Sequence, residues 1–213
     1  MFDFFLDLIY PRTCGICGQI HKEYLCKKCE KRLEKLSHNK IYKSKLEPIS
    51  YHAYAFPYEG EIREKLITYK FHEQAYLYQT FVKIILKSEN LCGFMKKYDI
   101  IIPISIHRKR KKQRGYDQTV LIAKEIAKEL KMNIRLDILI KQNNIQPQSS
   151  LDKWQRRQNI KNAYKLQNEQ VITNQRILLI DDIYTTGATI QECARTLKKA
   201  KPKEIAAFTL AKD

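Results

Sequence analysis

Apolar residues along this chain follow two rhythms that take turns. "YHAYAF" at 51–56 alternates and is rich in Tyr and Phe, which predicts a strand. "PYEG" then reads as a turn. A helical period follows at Ile62, Leu66 and Tyr69, and another at Leu77, Phe81, Ile84 and Ile85. "YDIIIPI" is a short, wholly apolar strand. The spacing over 117–131, "DQTVLIAKEIAKELK", predicts a helix with Asp117 as its N-cap and Val120, Ala123, Ala127 and Leu130 facing inward. Next come a strand "RILLID", a turn, and a helix from about 187 to 200 whose apolar face is Ile190, Cys193, Ala194 and Leu197. Pro202 breaks that helix, and "EIAAFTL" is a last strand. Apolar strands alternating with helices imply an α/β domain built on a parallel sheet.

Three stretches depart from this rhythm. Residues 40–50, "KIYKSKLEPIS", read as a polar linker. Residues 141–163 are polar, basic and weakly periodic, the pattern of a mobile loop followed by a short element. At the N-terminus, Phe2, Phe5, Leu6 and Ile9 make one apolar helical face, expected to dock on the chain's own core. That segment carries Asp3 and Asp7 and has no basic n-region, so it does not read as a signal peptide. No apolar run approaches the ~18–20 residues that span a bilayer. A reducing cytoplasm is therefore the expected setting, with cysteines present as thiols or metal ligands.

The chain has 213 residues, of which 44% are apolar, enough for one domain of ordinary size and a small appendage. Its formal net charge is +17. Part of that excess is attributable to base composition of the genome, but an imbalance of this size points to an anionic partner: nucleic acid, a phosphorylated ligand or an acidic membrane face.

Four of the six cysteines cluster in "CGICGQIHKEYLCKKC". Cys14 and Cys17 form one C-x2-C pair, Cys26 and Cys29 the other. Each pair can bend into a knuckle that aims two thiolates at one point, and Gly18 permits the tight backbone. Together they make a tetrahedral all-sulfur site suited to structural Zn2+, which would fold a segment too small for a core of its own. His21 reads as a hairpin surface residue. Residues 1–40 are thus expected to be a zinc module and 50–213 the α/β domain.

The stretch "ILLIDDIYTTGATI" at 177–190 runs a buried strand into two carboxylates and then into hydroxyls around one glycine. Parallel sheets bind ligands at the carboxyl ends of their strands. Gly187 allows a close approach, and the amides after it open a helix, where anions are stabilised. Thr185, Thr186 and Thr189 add donors. Carboxylates repel a bare phosphate, so Asp181 and Asp182 must serve another part of the ligand. A ribose 5-phosphate fits, with its phosphate in the turn and its diol on the acids. Mg2+ takes oxygen ligands in such surroundings. No G-x-x-x-x-G-K-[ST] or G-x-G-x-x-G occurs.

"ILLIDDIYTTGAT" resembles the phosphoribosyl pyrophosphate (PRPP) motif of type I phosphoribosyltransferases. With "IPISIHRKRKKQRGYDQ", "QSSLDKWQRRQNIKNAY" and the cysteine cluster, the resemblance becomes specific to the ComF family, competence proteins of bacterial natural transformation. It implies a type I phosphoribosyltransferase-like fold, a parallel sheet flanked by helices, after a four-cysteine zinc finger. It puts Asp181 and Asp182 at the catalytic centre on the ribose hydroxyls. Thr185, Thr186, Gly187, Ala188 and Thr189 would hold the 5-phosphate, and His107, Arg108, Arg110, Arg114, Gly115 and Gln118 match the family's stretch near the pyrophosphate. Gln148, Leu151, Arg156, Asn159 and Ala163 match its second signature. Implied cofactors and partners are Zn2+, Mg2+ with PRPP, single-stranded DNA, and other DNA-uptake proteins such as a competence helicase. Asp117 replaces the family's usual Asn, Tyr116 and Tyr164 its usual Phe, and Ile145 a common Thr.

The basic run itself, Arg108, Lys109, Arg110, Lys111, Lys112 and Arg114, has three readings: a solvated face, a clamp for leaving pyrophosphate, or a track for a DNA backbone. Trp154, Arg156 and Arg157 repeat the mix, and Tyr116, Trp154 and Tyr164 are candidate stacking platforms for unpaired bases. Charge, finger and family resemblance favour single-stranded DNA. A metabolic phosphoribosyltransferase of nucleotide salvage or synthesis would share the PRPP motif but explains neither the cysteine module nor the charge.

Overall fold

A computed structural model describes residues 11–72, 74–142 and 162–213. The second cysteine pair leads into helix α1 (Lys27–Leu36), which buries Cys29 and Leu33. Strand β1 (Lys40–Lys43) follows within the stretch whose polarity predicts a linker. It pairs antiparallel with β2 (Tyr51–Pro57) at the end of the sheet. An edge strand can be polar and lysine-bearing, which is why hydrophobic pattern does not reveal it.

Helix α2 (Gly60–Phe71) buries Ile62, Leu66 and Tyr69, and α3 (Leu77–Leu86) buries Leu77, Phe81, Ile84 and Ile85, as their periods predict. Helix α4 (Glu89–Met95) is capped by Ser88, whose hydroxyl accepts from the Leu91 amide. Strand β3 (Ile100–Pro103) and helix α5 (Arg108–Arg114) lead to α6 (Gln118–Leu130). Asp117 caps α6 by accepting from the Val120 amide at 3.2 Å. The inward stripe of α6 is Ile122, Ala123, Ile126 and Ala127; Val120 and Leu130, expected inward, are only partly buried. Two adjacent i, i+4 rows, Ile122–Ile126 and Ala123–Ala127, make up the buried stripe.

The chain continues through β4 (Asn133–Ile134), β5 (Leu139–Lys141) and β6 (Tyr164–Leu166). Strand β7 (Arg176–Tyr184), helix α7 (Ala188–Lys198) and strand β8 (Glu204–Lys212) complete it. The main sheet has the order β1-β2-β8-β7-β3-β4, with every pair parallel except β1/β2. β5 and β6 form a separate antiparallel ribbon.

Both faces of the sheet are covered. Leu178 and Ile180 join Phe208 and Leu210 in a core shared with α2, α3 and α6. Ile177 and Leu179 face the other way, onto α7 through Ile190, Cys193, Ala194 and Leu197. The unbroken apolar run of β7 is thus two alternating half-runs, each buried. Cys14, Ile16, Leu25, Cys29 and Leu33 belong to the first core, so the cysteine module packs into the same apolar interior as α2 and α3. Among the described residues, no helix is long and apolar enough to cross a membrane.

Candidate functional site

Because β2, β3, β7 and β8 run parallel, their carboxyl ends open on one edge, and a cleft of about 1070 Å³ lies there. Asp181, Asp182 and all of Thr185–Thr189 line it. Arg63, Lys70 and Phe71 reach it from α2, Arg110 and Arg114 from α5, and Lys141 and Tyr164 from the ribbon.

β7 does not stop at Asp181 but continues to Tyr184. In extended backbone neighbouring side chains point to opposite faces, so the two carboxylates diverge. Asp182 turns toward α2 and α6, where its Oδ2 accepts from Lys70 Nζ at 3.0 Å and from Gln118 Nε2 at 2.9 Å. Asp181 lies on the α7 and ribbon side, and its Oδ1 accepts from the Asp182 amide at 2.8 Å. Burial, reinforced by the charge of Asp182, raises the Asp181 carboxyl pKa. Burial lowers the Lys141 ammonium on the same side, where its Nζ sits 5.2 Å from the Tyr164 ring centre. Asp117 is occupied as a cap, accepting also from the Ile106 amide at 2.9 Å.

The turn after β7 depends on Gly187. Its φ is +73°, and it stands as N-cap of α7. A Cβ there would collide with Leu46 Cδ1 and lie 2.6 Å from the Tyr184 hydroxyl. Thr186 Oγ1 accepts from the Ala188 amide at 3.4 Å. The turn is braced from the sheet by His52, which stacks on Tyr184 with centroids 4.5 Å apart. His52 is buried, with Nε2 2.9 Å from Thr209 Oγ1 and Nδ1 2.5 Å from the Tyr42 hydroxyl. Burial, aided by Lys212, pulls its pKa down to about 4.

The basic run forms α5, with no buried residue, and ends at Gly115 in the left-handed region at φ +82°. Its charges divide. Arg110 and Arg114, one helical turn apart, line the cleft; Lys109, Lys111 and Lys112 are exposed and do not. His107 and Arg108, expected beside the ligand, also fall outside the cleft lining. His107 instead caps α5, its Nδ1 accepting from the Lys109 amide at 3.2 Å. Tyr116 and Tyr164 do not present open rings. Tyr116 stacks on Tyr69 at 5.6 Å and donates to the Tyr69 carbonyl, while Tyr164 is buried. Trp154, Arg156 and Arg157 lie outside the described residues, as do Phe2, Phe5, Leu6, Ile9, Ile145, Gln148, Leu151 and Asn159. Lys70 and Phe71 are cleft residues that sequence reading misses; no local motif ties the end of α2 to Asp182.

The Sγ atoms of Cys14, Cys17, Cys26 and Cys29 all lie within 4.8 Å of one another. Thiolates about 2.3 Å from a tetrahedral zinc stand about 3.8 Å apart, and the Cys17–Cys26 separation is 3.9 Å. Gly18, at φ +74°, closes the first knuckle, and the Cys26 amide donates to Cys14 Sγ at 3.4 Å. These donors fit a structural zinc with no open position. His21 is turned to the surface, its Nδ1 accepting from the Glu23 amide at 3.1 Å. The module is docked closely: Thr80 Oγ1 donates to the Tyr24 carbonyl at 2.7 Å, and a Cβ on Gly15 would lie 2.5 Å from Leu77 Cδ2.

Comparison with known proteins agrees with this architecture. A family model described as phosphoribosyl transferase domain matches residues 117–213, and one described as double zinc ribbon domain matches residues 5–40. The chain is therefore a type I phosphoribosyltransferase-like domain preceded by a four-cysteine zinc ribbon. It is 26% identical over 205 residues to Competence protein F of Haemophilus influenzae, covering 93% of this chain and 84% of that one. It is also 26% identical over 211 residues to Competence protein ComFC of Bacillus subtilis, covering 96% and 80% respectively. The chain is thus similar to ComF-type competence proteins along almost its whole length. A solved purine phosphoribosyltransferase from Pyrococcus horikoshii aligns with 65% of this chain and 84% of that chain, at 12% identity and a TM-score of 0.40.

Proposed function

We propose that this protein binds PRPP with Mg2+ in the cleft and single-stranded DNA on the basic surface beside it, handling incoming DNA in the cytoplasm during natural transformation. The observation that carries the ligand reading is the convergence of Asp181, Asp182 and the Thr185–Thr189 turn on one cleft at the sheet's carboxyl edge. The 5-phosphate would take the turn and the opening amides of α7. The ribose hydroxyls would take the acids, with the diol replacing Lys70 on Asp182 and releasing its ammonium toward the pyrophosphate. Arg110 and Arg114 face that same space. Mg2+ bound with PRPP would supply charge neutralisation on the pyrophosphate oxygens. The competence role is supported by the names of the relatives matched along the chain. DNA binding is supported by the exposed lysines of α5 and the net charge of +17.

The test is a titration of the purified chain with PRPP and Mg2+, with and without single-stranded DNA, together with an assay for pyrophosphate release. Asp182→Ala should abolish PRPP binding and leave salt-sensitive DNA binding largely intact. Equal loss of both in a folded variant would rule out two separable sites.

A further inference from the structure

We infer that Phe71 and Arg114 form a stacking platform for an unpaired nucleobase at the mouth of the cleft, on which a single strand tracking α5 sets one base. The inference rests on the reading that the protein binds single-stranded DNA, and names the place where a base, rather than a phosphate, is held. Phe71 is 68% exposed. Four other large apolar side chains are exposed among the described residues, Ile20, Leu36, Tyr51 and Leu136, and none of them lines the cleft; Phe71 does. Of the three aromatic rings that the sequence offers for this role, Tyr116 is stacked on Tyr69, Tyr164 is buried, and Trp154 lies outside the described residues.

The ring is held from two directions. Its neighbour Lys70 pins the end of α2 to Asp182. The Arg114 guanidinium lies 5.3 Å from the Phe71 ring centre and donates to Gln118 Oε1, which fixes its plane. With the guanidinium over it in a cation–π contact, the ring is still largely exposed, and an exposed ring suits any base because every base has a π-face. Arg110 and Gln113 of the same helix line the cleft, and Lys109, Lys111 and Lys112 are exposed outside it, where they would meet phosphates. The arrangement therefore joins a charged helix to an aromatic stop through Arg114, in the cleft that also holds the two carboxylates.

The experiment compares an oligothymidylate with an abasic strand of equal length, by fluorescence anisotropy, on the wild-type chain, Phe71→Ala and Phe71→Trp. Phe71 is exposed, and thermal melts check that both variants fold. The platform predicts that the wild type favours the base-bearing strand by about fivefold or more. Phe71→Ala should erase that preference with the salt dependence unchanged, and Phe71→Trp should keep it. A preference that survives Phe71→Ala in full overturns the platform and leaves strand binding standing. If neither strand binds the wild type, strand binding itself fails. The platform then falls with the reading it rests on, an outcome distinct from a base preference that survives Phe71→Ala.

Discussion

Gly187 is under two separate constraints, and each disfavours a side chain. Its φ of +73° costs any L-residue about 1–2 kcal/mol, and a Cβ would press on Leu46 and Tyr184. Gly187→Ala should therefore push the turn off its cradle and weaken PRPP binding at least about tenfold, as a titration would show; unchanged affinity would mean that the turn does not hold the phosphate. His52 governs the same turn from behind. Its folded pKa of about 4 lies below the ordinary value of 6.5, so the unfolded chain binds the extra proton first as pH falls. The stability it contributes is whole above about 6.5 and is lost as pH drops toward 4, at most about 3 kcal/mol. Melting temperature against pH should fall in that window, and His52→Phe should flatten the fall; an identical profile would exonerate His52. At this scale the sequence exposes what is contiguous. Asp181, Asp182 and the threonines share one motif. Lys70 and Phe71 meet them only because α2 ends over the carboxyl edge of the sheet, and no pattern within "ITYKF" records that.

At the scale of elements, buried ones are read well and edge ones poorly. α2, α3 and α7 bury the residues their periods predict, although in α2 Ile67 and Phe71 lie off the buried stripe. α6 has apolar residues around a wider arc, and packing against both α3 and the sheet selects the stripe through Ile122 and Ala123. β1 is too polar to announce itself, and it joins the stretch after the cysteines to the sheet edge. The cysteine module, legible as four ligands, is not legible as a contributor to the main core, since its apolar residues Ile16, Leu25 and Leu33 are few and scattered. That placement has a consequence. Cys26→Ser should lower the zinc content measured by metal analysis. It should also lower the melting temperature of the whole chain by about 5 °C or more, since one kcal/mol moves a domain of this size by about 2–4 °C. Full zinc retention would remove the four-thiolate assignment. Zinc loss with an unchanged melting temperature would mean that the module unfolds by itself.

Across the whole molecule, 40 Lys and Arg stand against 23 Asp and Glu, and where the excess sits matters more than its size. Inside the cleft, Lys70 is paired with Asp182 and Arg114 is bound to Gln118, so those cations are partly spoken for. On α5 the exposed set Arg108, Lys109, Lys111 and Lys112 carries no acidic neighbour in its own helix, and an anion laid along it would relieve the repulsion among them. A strand lying along that helix would release counterions as it binds. If about five phosphates are met, log affinity should fall against log salt with a slope near −3.5, which is about a hundredfold between 50 and 200 mM. Replacing Lys109 and Lys112 together by Gln should flatten the slope by about 1.4 while leaving PRPP affinity where it was, because neither side chain lines the cleft. A slope unmoved by that double substitution would place the DNA elsewhere on the molecule, and a loss of PRPP binding would show that the outward and inward charges of α5 act as one clamp rather than two surfaces.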